Sequence, residues 1–495
     1  MKVGEKKLQI GNRCLTIKTK KIMKKNLFMV AAVALIATVS CNKEEFRNND
    51  AQGVASDVVF VAELEQPGDD VEVAAPAAAQ TKTALGSTTN GVTAVNWVGN
   101  EKVSINGVEF TTTSTGAKAT FTTTKTFDKT AAKFDAIYPA SAGTALTAVT
   151  IPASQKGTFA EAAISVATST TTSLNFKNLA SIIKFQVPSA CSTITITSTA
   201  NLAGTFPVTF ENGLPKIGTV TNTSKTITVA GSFKTGTDYY VAVLPGSHKF
   251  TVRLDGYLSK ASTTAVTTTR AKIANLQELP APEASTWVIV GAYNSWKNDA
   301  TAKKLYKDIS GFVVKNITLN GEFKMINGSK WLSTMVPSAA QNKWCLLKEN
   351  MANMTRSSGT YDIWISSDGK EVCVVNSGSS APQLNDSNRQ YYIVLQHNWD
   401  WANRRLHAWI DNGSDATNVN LMGAWPGKAA NGTFTYDNNG YSYWEIPNSV
   451  YGKKLGIIFS NNGGEQTQNK YFTNYRDDKR FWLEWKDPNR IANEF

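Results

Sequence analysis

Thr193-Ile194-Thr195-Ile196-Thr197 alternates a polar β-branched residue with an apolar one at every step. Successive side chains of an extended chain point to opposite faces, so the isoleucines share one face and the threonines the other. The stretch reads as a strand half-buried in a sheet. Lys225-Thr226-Ile227-Thr228-Val229 and Phe250-Thr251-Val252-Arg253-Leu254 repeat the pattern, and Gly, Asn and Ser punctuate the intervals. Such runs broken by turn signals point to an all-β sandwich. From Val58 to about Glu278 there is room for two in tandem.

The rest of the chain extends this reading. At 495 residues it is too long for one domain. The fold class it implies is all-β, a multi-domain string of β-sandwiches. Apolar content of 42% suffices for packed cores. The net charge of +12 is concentrated at the start: residues 1–40 hold nine basic residues and one acid. What remains lacks the dense basic stripe of a nucleic-acid binder.

Catalytic and metal signatures do not emerge. His248, His397 and His407 show no metal-ligand spacing, and no nucleophile elbow or P-loop occurs. A glycosidase needs two carboxylates across a cleft, and no segment reads as a catalytic domain. The expectation is a non-enzyme without cofactor or metal.

Met23-Lys24-Lys25-Asn26, the apolar run Leu27 to Val39, and Ser40-Cys41 describe an export signal. The run is short for a membrane span. Its ending resembles a lipoprotein signal, in which Cys41 is lipidated; an ordinary cleaved signal with an incidental cysteine is the alternative. Asn42-Lys43-Glu44-Glu45 resembles the surface-export signal of Bacteroidetes lipoproteins. On this reading 1–40 is the export segment, with a better start at Met23, and 41–54 a lipidated tether. The expected location is the outer membrane, lipid-anchored at the cell surface. Cys191, Cys345 and Cys373 form no disulfide framework, and pairing of Cys345 with Cys373 stays open.

Five phrases in order resemble the fimbrillin-like lipoproteins of Bacteroidetes across 55–278. They are Thr81-Lys82-Thr83, Val95-Asn96-Trp97 with Glu101 to Ile105, Phe134 to Pro139, Asn178 to Phe185, and Tyr239 to Pro245. That family is largely structural, so the resemblance implies fold more than activity. Leu279 to Ser285 reads as a linker.

Residues 286–377 follow as a second unit. Trp287 to Gly291 starts a strand, Tyr293-Asn294-Ser295-Trp296 a loop, and Asn320-Gly321 reads as a hairpin turn between Val313–Leu319 and Glu322–Met325. Asp368-Gly369-Lys370 is a further turn. This unit resembles the starch-binding β-sandwich domains of starch-utilisation outer-membrane lipoproteins. A second linker runs from Ser377 to Pro382.

Residues 388–495 form the last unit. The series Tyr391–Leu395, Leu406–Ile410, Gly423-Ala424-Trp425-Pro426-Gly427, Tyr441–Pro447, Leu455–Gly464 and Gln466-Thr467 resembles family 26 carbohydrate-binding modules, which bind α-glucans such as starch.

Twelve of the thirteen tryptophans fall between Trp287 and Trp485, among many Asn, Gly and Tyr. Sugars present an apolar ring face and a hydroxyl rim, so indole beneath and amides at the edge suit them. The resemblance maps an aromatic pair onto His407 and Trp409, which share a strand face. Tyr is usual in that pair, and His407 departs from it. Trp425 would be the third platform residue, unless it packs in the core behind Pro426, and Gln466 would contact hydroxyls. Of Trp399 and Trp401, one is expected on ligand and one structural, with Trp401 kept as a candidate. Trp444, Trp482 and Trp485 read as core or packing residues. In the middle unit Trp296 and Trp331 are platform candidates, with Lys324 reaching a hydroxyl or ring oxygen; core indoles and a solvated lysine are the plainer alternative.

The leading expectation is a cell-surface lipoprotein that captures starch, malto-oligosaccharides or a related α-glucan for a separate surface amylase and glycan transporter. The runner-up is a fimbrial subunit or tip adhesin recognising host glycan or protein.

Overall fold

The computed structural model describes residues 58–65, 84–89, 92–485 and 490–495. The export signal, Cys41, the tether and Thr81-Lys82-Thr83 lie outside them. Ala55–Phe495 forms one compact unit. It is built almost wholly of strands, in keeping with the all-β class.

The alternating stretch lies in the strand Cys191–Ser198. Ile194 and Ile196 are fully buried there. It pairs antiparallel with Thr226–Phe233 on one side and Phe250–Leu254 on the other. These belong to a five-stranded sheet. Ahead of it, seven strands close on themselves as a barrel. Closure follows from Phe60–Leu64, which pairs parallel with Ser173–Asn178 and antiparallel with Lys118–Thr122. Period-2 alternation specifies a buried face but not whether the sheet stays open, so the sequence reads as two sandwiches where the first of the two sheets closes into a barrel. Trp97 fills this barrel, edge-on to Phe121, Tyr138 and Phe176. Its Nε1 donates to the Ala62 carbonyl at 3.1 Å.

The next region is one eight-stranded sheet. Its spine is the 17-residue strand Gly311–Asn327. The Asn320-Gly321 hairpin is therefore corrected: both flanks pair with the same strand, Met354–Ser366, and the register merely shifts between Leu319 and Gly321. A two-residue I′ turn needs positive φ at both positions. Gly321 takes 103° and Asn320 does not, so the glycine supplies a bulge instead. The turn at Gly369 forms as expected, between Met354–Ser366 and Glu371–Asn376.

Cys345 and Cys373 are both free and buried. Cys345 sits opposite Val372 across the ladder, so Cys373 points to the other face. The first packs beside Met354 and Val372, the second beside Trp344 and Val375. Burial raises both thiols, Cys373 to about 12.

The C-terminal module is a sandwich of two sheets. One runs Gly432–Tyr436, Asn439–Ile446, Tyr391–Gln396, Lys479–Trp485, Arg490–Glu494; the other holds Val419–Asn420, Arg404–Ile410, Leu455–Asn461 and Lys470–Phe472, with Lys428–Ala429 also paired to Arg404–Ile410. Between them pack Ile393, Leu395, Leu406, Trp444, Phe459 and Phe481. The outer face of the first sheet is covered as well. Tyr392, Val394 and Tyr441 share an apolar cluster with Leu319 and Phe323 of the middle module. Arg389 chelates Glu371 at 2.6 and 2.9 Å, and Lys348 pairs with Asp477 at 2.7 Å across the same joint.

Candidate functional site

The strand Arg404–Ile410 turns Leu406, Ala408 and Ile410 into the sandwich core. Alternation therefore sends Arg405, His407 and Trp409 to the opposite, outer face. The cross-strand partner of Trp409 is Gly456, and that of Gly456 on the next strand is Tyr471. The glycine is required by the indole: a Cβ there would lie 2.3 Å from Trp409 Cε2. Trp409 thus lies across Gly456, only 6% exposed, and meets Tyr471 edge-on with centroids 5.9 Å apart.

His407 stands on the other side of Trp409, centroids 5.5 Å apart and planes tilted by 33°. Trp425 approaches His407 edge-on at 5.7 Å. Its loop can sit this close because Gly427 passes within 2.2 Å of the Leu406 carbonyl, measured from where a Cβ would be. Trp425 is 43% exposed and Tyr471 46%. The core alternative for Trp425 does not hold. The result is a row of four rings, Trp425, His407, Trp409 and Tyr471, with exposed ends and a sunken centre.

Polar groups line this row. His407 Nδ1 and Trp409 Nε1 are buried without a hydrogen-bond partner among the described residues. Buried unpaired donors and acceptors are costly and call for a partner. Burial holds the His407 imidazole below its ordinary pKa, which favours the neutral ring. Lys454 Nζ lies 4.7 Å from the Tyr471 ring centroid and pairs with Asp411. Gln466 bridges to Ser460, which pairs with Arg405, so it is exposed on the same face as the row. Trp425 Nε1 lies near the intervening turn at Gly463.

Trp401 is corrected. It is 2% exposed and belongs to the sandwich core. Its Nε1 donates to Glu465 at 2.7 Å, and the Arg490 guanidinium stacks over both Trp399 and Trp401. Glu465 binds Arg490 twice at 2.9 Å, closing a structural clasp. Trp444 is buried, as expected, with Nε1 on the Lys428 carbonyl. Tyr471 was missed. Its signal was the alternation of Lys470-Tyr471-Phe472, which places Tyr471 on the face opposite to its neighbours.

In the middle module Val288, Lys304 and the pairs Val290–Lys324 and Ile326–Trp331 fix the register. Lys324, Ile326 and Trp331 therefore share one face, and Trp296 packs on it against Val290, Ala302 and Ile326. Trp331 is 41% exposed. Burial lowers the Lys324 ammonium pKa. The structure brings these three candidates to one face, though Trp296 is partly spent on packing.

Starch-binding module 26, family CBM26, matches residues 393–472, a segment that contains all four rings of the row. No curated protein matches this chain. A solved structure that matches is CBMbc, a family CBM26 module from Eubacterium rectale Amy13K in complex with maltoheptaose. It is 11% identical, with 63% of this chain and 96% of that chain covered and a TM-score of 0.16, so its superposition carries no argument. The C-terminal module is thus similar to starch-binding modules.

Proposed function

We propose that this protein captures starch-like α-glucans on the outer aromatic row of its C-terminal module. The observation that carries the reading is the row itself, inside the segment matched by the starch-binding family. Four rings set at angles suit a curved, helical glucan better than a flat chain. The exposed faces of Trp425 and Tyr471 would take ring C–H surfaces, and His407 Nδ1, Trp409 Nε1 and Gln466 would meet hydroxyls.

The wider role follows from the sequence. The chain would be a non-catalytic lipoprotein held at the outer surface through Cys41, passing glucan to a separate amylase and transporter. Its fimbrillin-like region would act as a spacer. Trp296, Trp331 and Lys324 would form a weaker second face, useful on a polymer through effective concentration. A single shallow platform recovers little after ordering costs, so each site alone should be weak.

The test is calorimetric titration of the 55–495 unit with maltoheptaose, beside an array of host glycans. Saturable binding of maltoheptaose and none of sialylated or fucosylated glycans is expected. Binding only to host glycans would replace this reading with the adhesin.

A further inference from the structure

The C-terminal module has a second aromatic surface that the row does not use. Its strand Gly432–Tyr436 is the edge of the sheet that docks on the middle module. Phe434 pairs with Tyr441 and Tyr436 with Asn439, so these side chains face the middle module. Tyr441 is buried in the joint. Phe434 stacks on it, planes 15° apart, and is itself only half covered. Tyr436 and Tyr443 are likewise packed at the rim of the shared cluster rather than inside it.

Where this face runs out from under the middle module a cleft of about 470 Å³ opens. That is within the range of ligand pockets, roughly 300–1,000 Å³. Phe434, Tyr436 and Tyr443 line one wall, and Glu322 and Asn353 of the middle module line the other, with Asp437 also at the site. Asn353 Nδ2 donates to Glu322 Oε2 at 2.8 Å. None of the described residues lining the cleft is basic. Two carboxylates and no cation disfavour an anionic ligand. Among the described residues no group of three or more His, Cys, Asp or Glu could hold a metal ion. Carboxylate and amide acceptors beside half-exposed rings suit a neutral ligand rich in hydroxyl donors.

We infer that the cleft between the middle and C-terminal modules is a further glycan site, separate from the outer row and from the Trp296 and Trp331 face, taking a short stretch of neutral α-glucan. This rests on the α-glucan reading of the outer row. Tyr436 supplies the ring platform, and Glu322, Asn353 and Asp437 accept or share hydroxyl hydrogens. Because its walls come from two modules, bound glucan also clamps the joint.

The experiment is hydrogen–deuterium exchange on the 55–495 unit with and without maltoheptaose, repeated on a Trp409→Ala, Trp425→Ala variant. Slowing at 352–355 and 433–437 in both proteins is expected. Tyr436→Ala should weaken that protection by about tenfold in maltoheptaose concentration. Asp437→Asn, at an exposed turn position, tests the same wall should Tyr436→Ala disturb packing. Slowing at 405–409 with none at the cleft would overturn the cleft and leave the outer row standing. Cleft slowing that vanishes in the double variant would also overturn it as an independent site. Slowing at the cleft alone would support it and sink the outer row. No slowing in either place would overturn both.

Discussion

The C-terminal module carries aromatic residues on the outer faces of both its sheets, and the two faces meet different fates. On one, Trp425, His407, Trp409 and Tyr471 form a row whose two ends, Trp425 and Tyr471, stay exposed. On the other, Tyr392, Val394 and Tyr441 are packed into the core of the middle module. On both, strand alternation turns aromatic rings away from the sandwich core. An aromatic strand face therefore has no intrinsic role. What covers it decides whether the rings act as platform or as joint.

Four variants test this contrast. The largest effect is expected from Trp409→Ala with Trp425→Ala, which removes the sunken centre and one end of the row. Maltoheptaose affinity at the row should fall by about a hundredfold, roughly 2.7 kcal/mol, in a chain that still folds but melts earlier, since the Trp409 indole is only 6% exposed. Calorimetry beside thermal unfolding reads both. Val394→Ala should act on stability alone. It removes about two methylene equivalents from the buried joint, so a loss of about 1.5 kcal/mol of stability is expected, seen as a lower denaturant midpoint with affinity intact.

Gly456→Val tests the row's geometry without removing a ring. Its side chain would occupy the space of the Trp409 indole. A drop of about tenfold in affinity is expected from the displaced ring; unchanged affinity would show that Trp409 need not lie flat. The smallest effect is reserved for Trp331→Ala. Affinity for maltoheptaose should be unchanged, and retention on insoluble starch should weaken about twofold, since only a polymer spans both faces.

The joint also makes a pH prediction. Asp478 is buried, accepts from the Tyr392 amide at 2.7 Å, and its pKa is raised to about 7, chiefly by burial. Between 3.8 and about 7 the folded state keeps a proton that the unfolded chain has released. The stability this group contributes is thus present at low pH and is lost as pH rises through that window. Melting temperatures from pH 5 to 8 should show this decline, and Asp478→Asn should flatten it. An equally steep decline in the variant would place the cause elsewhere.

Much of this was legible in the sequence. Ile194 and Ile196 announced a half-buried strand by period alone. The spacing of His407 and Trp409 put both rings on one face, and the structure does so. Trp296, Trp331 and Lys324 stand out in the sequence as candidates, and the register of the strands brings them to one face. The illegible parts share a cause: they depend on partners distant in the chain. Asn320-Gly321 carried the local chemistry of a hairpin, but pairing of both flanks with Met354–Ser366 held the strand straight. Which of Trp399 and Trp401 is structural is decided by Glu465 and Arg490, which close over Trp401 from far along the chain. Tyr471 enters the site only because Gly456 leaves room for Trp409 to reach it. The docking of Tyr392, Val394 and Tyr441 cannot be told from a solvent-facing pattern without the second module.

The most direct test of the outer row is the structure of the 55–495 unit with maltoheptaose bound. Glucose rings stacked along Trp425 and Tyr471, with hydroxyls at His407 Nδ1 and Trp409 Nε1, are the predicted result. A bound glucan that leaves this row bare would contradict the account.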